Sequence, residues 1–170
     1  MRRVLVIGCS GAGKSTLARA LAPRLGLPLV HLDRFYWSSG WVEPTQEKWR
    51  TIVEGLVAEP AWVMDGNYSA TFDLRMPRAD TVIWLDYPRM RCVWRVVTRA
   101  IKDHGRNRPD LPDGCPEQID LKFYRFVWDF PNRSRPQIVE GLKTIGSHLR
   151  VIRLANDRQV AAFLRAPEAA

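Results

Sequence analysis

The chain has 170 residues, 46% of them hydrophobic and 26% charged, and its 26 Lys and Arg against 18 Asp and Glu leave a net charge of +8. That length supports one domain with a sizeable core, and the composition excludes a disordered, fibrous or disulfide-framed chain. No apolar run approaches a membrane span, the first strand starts too early to leave room for a signal peptide, and three cysteines lack metal-ligand spacing; a reduced cytoplasmic protein, monomer or homodimer, is the expectation.

The first stretch, R-V-L-V-I at 3–7, is β-branched and apolar, as a buried strand requires. It runs into G-C-S-G-A-G-K-S at 8–15 and then into an Ala- and Leu-rich helix former that reaches Pro23. Two glycines, a lysine and a serine at this spacing, between a strand and a helix, form the phosphate-loop pattern. Glycines at 8, 11 and 13 let the backbone wrap so that successive N–H groups face inward, at the positive end of the next helix. The residues from Gly8 through Cys9, Ser10, Gly11, Ala12, Gly13, Lys14 and Ser15 to Thr16 are therefore candidate nucleotide contacts. Lys14 brings charge to the β- and γ-phosphates, and the Ser15 hydroxyl suits Mg²⁺. Cys9 is either an oxidant-sensitive thiol or a small loop residue.

Further along, L-V-H-L-D at 29–33 reads as a second strand with Asp33 at its carboxyl end, where open parallel sheets bind ligands. Asp33 either acts on a metal-bound water or an acceptor hydroxyl, or caps a turn. The segment from Phe35 to Trp41 is aromatic; Trp37 and Trp41 either wall a pocket or pack beneath a loop. Thr45 opens a helix whose stripe is Trp49, Ile52, Val53 and Leu56. A third strand at 61–65 ends in Asp65, an acidic residue placed to hold Mg²⁺ through water, and a fourth at 81–86 ends in Asp86, the alternative for that role.

The helix from Arg89 to Lys102 carries Arg91, Arg95 and Arg99 at four-residue spacing on one face. Like charges at this spacing cost a few tenths of a kcal/mol per pair, and a bound anion reverses that. The Gly- and Pro-rich run from His104 to Pro116 forms no regular element; with Arg106 and Arg108 it suits a lid, extending over about 103–135. A helix from Glu117 ends at Pro131, another runs from Pro136 to Gly146, a fifth strand spans 148–154, and Asn156 and Asp157 open a last helix. Asn156 is a further candidate nucleotide contact. The tail from Ala166 to Ala170 is expected to fray. Strands alternating with helices predict an α/β domain over residues 1–170, one parallel sheet with helices on both faces.

The G-C-S-G-A-G-K-S loop, Asp65-Gly66 after the third strand, and Arg95 and Arg99 on the helix after the fourth resemble the adenylate-kinase-like P-loop kinases. A narrower resemblance, to the bacterial topology modulation proteins, rests on H-L-D at 31–33, Gly40-Trp41, Gly66-Asn67-Tyr68 and L-D-Y-P-R at 85–89. The broader resemblance implies strand order 2-3-1-4-5, ATP with Mg²⁺, Arg95 on the adenine and Arg99 on phosphate. The family's acceptor-phosphate arginine after Asp-Gly is replaced here by Asn67-Tyr68-Ser69, which leaves Arg75 or Arg34 as substitutes. The sum is a kinase for an unidentified small acceptor, with Lys14, Asp33, Arg95 and Arg99 as catalytic candidates. The alternatives are a nucleotide-dependent DNA-binding protein, for which no reading motif exists, and a nucleotide hydrolase or sensor.

Overall fold

The computed structural model describes residues 1–166, so the expected frayed tail falls, beyond Ala166, outside the described residues. Five strands, β1 (Arg3–Gly8), β2 (Leu29–His31), β3 (Trp62–Asp65), β4 (Thr81–Leu85) and β5 (Arg150–Leu154), form one sheet in the order β2-β3-β1-β4-β5. Every neighbouring pair is parallel. All residues of β3 and β4, and all but the first of β1, are buried. Because side chains alternate across a strand, burial of both sets means that helices cover both faces, as the alternating sequence pattern predicts.

The first helix, α1 (Lys14–Leu25), buries Leu17, Ala18, Leu21 and Ala22 and ends on Gly26 in the left-handed region. The expected second strand is shorter than its sequence suggests. It stops at His31, and Leu32–Tyr36 turns into a short helix, α2, which carries Asp33 in its first turn rather than at a strand end. Leu32 is the reason: its fully buried side chain anchors the turn, packed against the Gly66 backbone. Next comes α3 (Gln46–Ala58), capped by Thr45, whose hydroxyl accepts from Lys48 N at 3.3 Å; it buries Trp49, Val53 and Val57.

A turn at residues 66–71 leads into the short helix α4 (Phe72–Arg75). After β4, α5 (Arg89–Lys102) buries Cys92, Val96 and Ala100. The largest departure follows. One continuous helix, α6 (Leu121–Thr144), replaces the two predicted around Pro131 and Pro136, and it starts at Leu121 rather than Glu117. Each proline forfeits one helical N–H and crowds the preceding turn, which ordinarily breaks a helix. Here Val127, Phe130, Ser134 and Ile138 form a buried stripe spanning both prolines, and that packing holds the helix through them. Asp120 caps its start, accepting from Lys122 N at 2.8 Å. The chain closes with β5, which begins two residues later than expected, and α7 (Asp157–Arg165).

Candidate functional site

The phosphate loop crosses from β1 to α1 beside β4 and α5. Gly11 has φ +83°, and a Cβ there would lie 2.4 Å from the Cys92 carbonyl oxygen, so both backbone angle and space demand glycine. Gly13 has φ +94° and precedes α1 with no side-chain cap, and the first turn of α1 holds no acidic residue. The amide end of the helix is left open to an anion. Lys14 Nζ donates to the Cys9 carbonyl at 3.1 Å, folding over the loop. Cys9 and Ala12 lie buried beneath it. The adjacent Cys92 thiol, together with burial, pushes the Cys9 thiol up, and at 2% exposure its side chain packs within the core.

Ser15 Oγ donates to Asp65 Oδ2 at 2.7 Å, and His31 Nδ1 bonds the other oxygen of the same carboxylate. Of the three acidic candidates for Mg²⁺, Asp65 alone has a hydrogen bond to the loop serine. Asp86 is instead neutralised by Arg135, at 3.0 Å, and Arg153, at 2.5 Å. Among the described residues no three His, Cys, Asp or Glu side chains form a metal cage.

Asp33 faces this point from α2. Tyr68 Oη donates to its Oδ1 at 2.7 Å. Burial pushes its carboxyl up, opposed by the Tyr68 hydrogen bond and the charge of Lys14. Tyr68 occupies the left-handed region at φ +32° and packs among Tyr36 and Trp49. Arg75 holds that turn: fully buried, it donates to the carbonyls of Gly66, Asn67 and Tyr68 and to Thr71 Oγ1. Arg75 is therefore spent on backbone and is not the substitute acceptor arginine. Arg34 remains open, beside a cavity of about 460 Å³ lined also by Arg19, Leu29, His31, Phe35 and Pro109.

The arginines of α5 are not the bare row that the helix pattern suggests. Arg91 and Arg95 both pair with Asp157 at the start of α7, and Tyr87 donates to the same carboxylate at 2.6 Å. Arg95 also stands beside the loop, its Nη1 3.9 Å from where a Gly13 Cβ would be. Asn156 caps α7, accepting from Gln159 N at 3.0 Å. Arg99 and Arg108 flank the buried Glu117, with Nε to carboxylate oxygen distances of 3.1 and 3.2 Å. Both Nε atoms are buried yet lack an aligned hydrogen-bond acceptor. Burial, with Arg108 nearby, pushes the Arg99 guanidinium down against the pull of Glu117.

The predicted lid run, His104–Pro116, is irregular as expected but closely tethered. Gly105 N and Glu117 N bond back to Glu117 O and Arg106 O at 2.9 Å, Gly40 N bonds Gly114 O at 2.8 Å, and Trp41 Nε1 bonds Pro116 O at 3.2 Å. Trp37 meets Trp41 edge-on at 5.2 Å, so these rings pack beside the end of this run. Asp110 in this run is buried. Burial alone raises its carboxyl, but Arg108 and backbone N–H outweigh it and hold it below the usual range. His31, Tyr68, Asp110, Glu117 and Asp157 were missed as site residues. His31 and Tyr68 each had a visible signal, the one a polar residue in an apolar run beside Asp33, the other a place in the Gly66-Asn67-Tyr68 motif; Asp110, Glu117 and Asp157 had no local signal for the partners they meet.

No protein-family profile matches the chain. It is 27% identical over 108 residues to the uncharacterized protein YqaC of Bacillus subtilis (strain 168), which covers 61% of this chain; the chain spans 60% of that relative's length. Among solved structures, it is similar to a shikimate kinase from Acinetobacter baumannii in complex with shikimate, with TM-score 0.64 and 18% identity over 97% of this chain and 89% of that one. A gluconokinase from Sinorhizobium meliloti 1021 matches at TM-score 0.54 and 17% identity, covering 99% and 89%. A deoxyadenosine kinase from M. mycoides matches at TM-score 0.53 and 13% identity, covering 95% of each chain. At these identities the likeness establishes the P-loop kinase fold. The narrower resemblance to topology modulation proteins gains nothing from it.

Proposed function

We propose that this chain is an ATP- and Mg²⁺-dependent kinase that phosphorylates a hydroxyl of a small molecule. In this reading residues 1–170 form one domain, and the segment over about 103–135 contains its lid. The observation that carries it is Asp33: a carboxylate with a raised pKa, aimed by Tyr68 and within the field of Lys14. A kinase needs such a group to take the acceptor proton; a hydrolase would turn the same group on water, so stimulation by an acceptor separates the two.

The backbone of Gly8–Thr16 cradles the phosphates, and Lys14 neutralises them. Ser15 and, through water, Asp65 hold Mg²⁺, which supplies charge neutralisation on the phosphates when bound. Arg95 lies against the adenine side of the nucleotide, with Asn156 near it at the start of α7. Asp33 orients the acceptor hydroxyl and accepts its proton. Arg99 and Arg108, both paired with the buried Glu117, supply positive charge that would stabilise the developing charge of the transferred phosphoryl group. The DNA-binding alternative gains no support. The α5 arginines are neutralised by Asp157 and Glu117 beside the phosphate loop rather than displayed as a free stripe.

The deciding experiment is ATP turnover with Mg²⁺ across nucleosides, nucleotides and hydroxylated metabolites, beside Lys14→Ala. Stimulation by one compound, lost in the variant, establishes the kinase. A slow ATPase that no small molecule stimulates refutes it.

A further inference from the structure

His31 has no part in the roles just described, yet it is the best-placed polar group next to them. It ends β2 and stands directly opposite Asp65 in the parallel ladder between β2 and β3. Residues paired in register on adjacent parallel strands project from the same face, so the sheet itself sets these two side chains against each other. Both are nearly sealed from solvent, His31 at 8% exposure and Asp65 at 4%. A carboxylate this buried requires partners for both oxygens. Asp65 has them, and they are asymmetric: His31 Nδ1 takes Oδ1, and Ser15 Oγ takes Oδ2.

We infer that His31 is a positioning residue for the metal side of the site. Its Nδ1–H pins one oxygen of Asp65, so that the other is presented to Ser15 and to the water of a Mg²⁺ ion. This rests on the Mg²⁺ role proposed for Ser15 and Asp65. A carboxylate turns about a soft terminal torsion. Without the imidazole, Asp65 loses its fixed orientation, and an ion bound through it is held less well. Partners that orient metal-holding groups are typically worth 10–100-fold in metal affinity. The phosphate contacts of the loop backbone and Lys14 do not pass through His31, so nucleotide affinity without metal is independent of it.

The test measures ADP affinity by calorimetry with and without Mg²⁺, and Mn²⁺ affinity by electron paramagnetic resonance in the presence of ADP. The proteins are wild type, His31→Leu and His31→Asn, with thermal melts as folding controls. Asn carries an N–H donor on Cγ, close to where Nδ1 lies, and so tests the hydrogen bond rather than the ring. The expected result is metal-free ADP affinity within twofold in all three. The Mg²⁺ enhancement and the Mn²⁺ affinity fall about tenfold in His31→Leu and are restored to within about threefold in His31→Asn. Equal metal enhancement in all three proteins overturns the inference. So does a parallel loss of metal-free and metal-dependent binding in a folded variant, which marks His31 as purely structural. Absence of any Mg²⁺ effect in wild type overturns it together with the metal role of Asp65. Failure of the kinase reading alone appears differently, as intact metal-dependent binding without transfer to any acceptor.

Discussion

Replacing Arg75 by methionine removes a guanidinium that touches neither the phosphate loop nor Asp33, yet it should damage both stability and catalysis. Arg75 is wholly buried, lies 5.0 Å from the Phe72 ring and makes four hydrogen bonds, three of them to the carbonyls of Gly66, Asn67 and Tyr68. Hydrogen bonds to a charged donor contribute about 1.5–3 kcal/mol each, and burying the charge takes back several kcal/mol. Methionine refills the volume but takes the guanidinium donor from the carbonyls of Gly66 and Asn67, at about 1–3 kcal/mol apiece where water cannot reach them, while the Tyr68 carbonyl keeps Thr71 N and Oγ1, both at 3.0 Å. The net expectation is a loss of about 3–5 kcal/mol, the usual cost of breaking a buried charged network from one side. For a domain of this size that lowers Tm by about 6–20 °C. The same carbonyls hold Tyr68 at φ +32°, a conformation that persists only where its surroundings enforce it. Once released, Tyr68 no longer aims Asp33, so kcat should fall while ADP affinity holds. Urea denaturation and single-turnover kinetics read the two effects. A variant within 1 kcal/mol of wild type and with unchanged kcat refutes the reasoning.

Gly11→Ala places a Cβ 2.4 Å from the Cys92 carbonyl at φ +83°, so nucleotide binding should fall at least tenfold by calorimetry, with a lower Tm; unchanged affinity refutes the loop geometry. Asp33→Asn should lower kcat by about 10²–10⁴-fold with ADP affinity intact. Because burial raises the Asp33 pKa, the base is ionised only above the ordinary carboxylate range, and the acid limb of the rate profile should lie there. Tyr68→Phe removes a hydrogen bond that favours the anion, so that limb should move to higher pH; a shift downward contradicts the assignment. Glu117→Gln removes the carboxylate between Arg99 and Arg108 and leaves only Asp110, 3.8 Å from Arg108, to offset the two neighbouring cations. Trypsin cleavage within 104–120 should then rise in the free protein and be suppressed by ATP with Mg²⁺; equal cleavage of wild type and variant contradicts the tethering role.

The elements legible in the sequence were those whose signal is local. The strand, glycine turn and helix at 3–22 are decided by β-branching, positive φ and helix propensity within that stretch, and the structure follows them closely. Thr45 announced its helix by capping chemistry, and the buried strands at 62–65 and 81–85 by unbroken apolar runs. Elsewhere local signals misled. Leu32 continued an apolar run that looked like strand, but its contact with the Gly66 turn folds Leu32–Tyr36 into α2. Pro131 and Pro136 carried the right local penalty, yet a buried stripe from Val127 to Ile138 outweighed it. The row of Arg91, Arg95 and Arg99 looked unpaired because Asp157 lies 66 and 62 residues from the first two, and Glu117 lies 18 from the third.

By itself, the sequence determined the phosphate loop, the lysine and serine within it, and an alternation of strand and helix that admits few topologies, because these depend on neighbours a few residues apart. The tertiary structure alone decided which acid serves Ser15. Asp33, Asp65 and Asp86 each follow an apolar run; Asp65-Gly66 favoured Asp65 by resemblance, but nothing local to these runs shows which carboxylate meets the loop serine. Sheet order sets Asp65 across from Ser15 and His31, turns Asp86 toward Arg135 and Arg153, and carries Asp33 onto a helix under Tyr68. Chemically equivalent carboxylates acquire different charge partners and burial only when segments distant in the chain pack together, and those surroundings divide their roles.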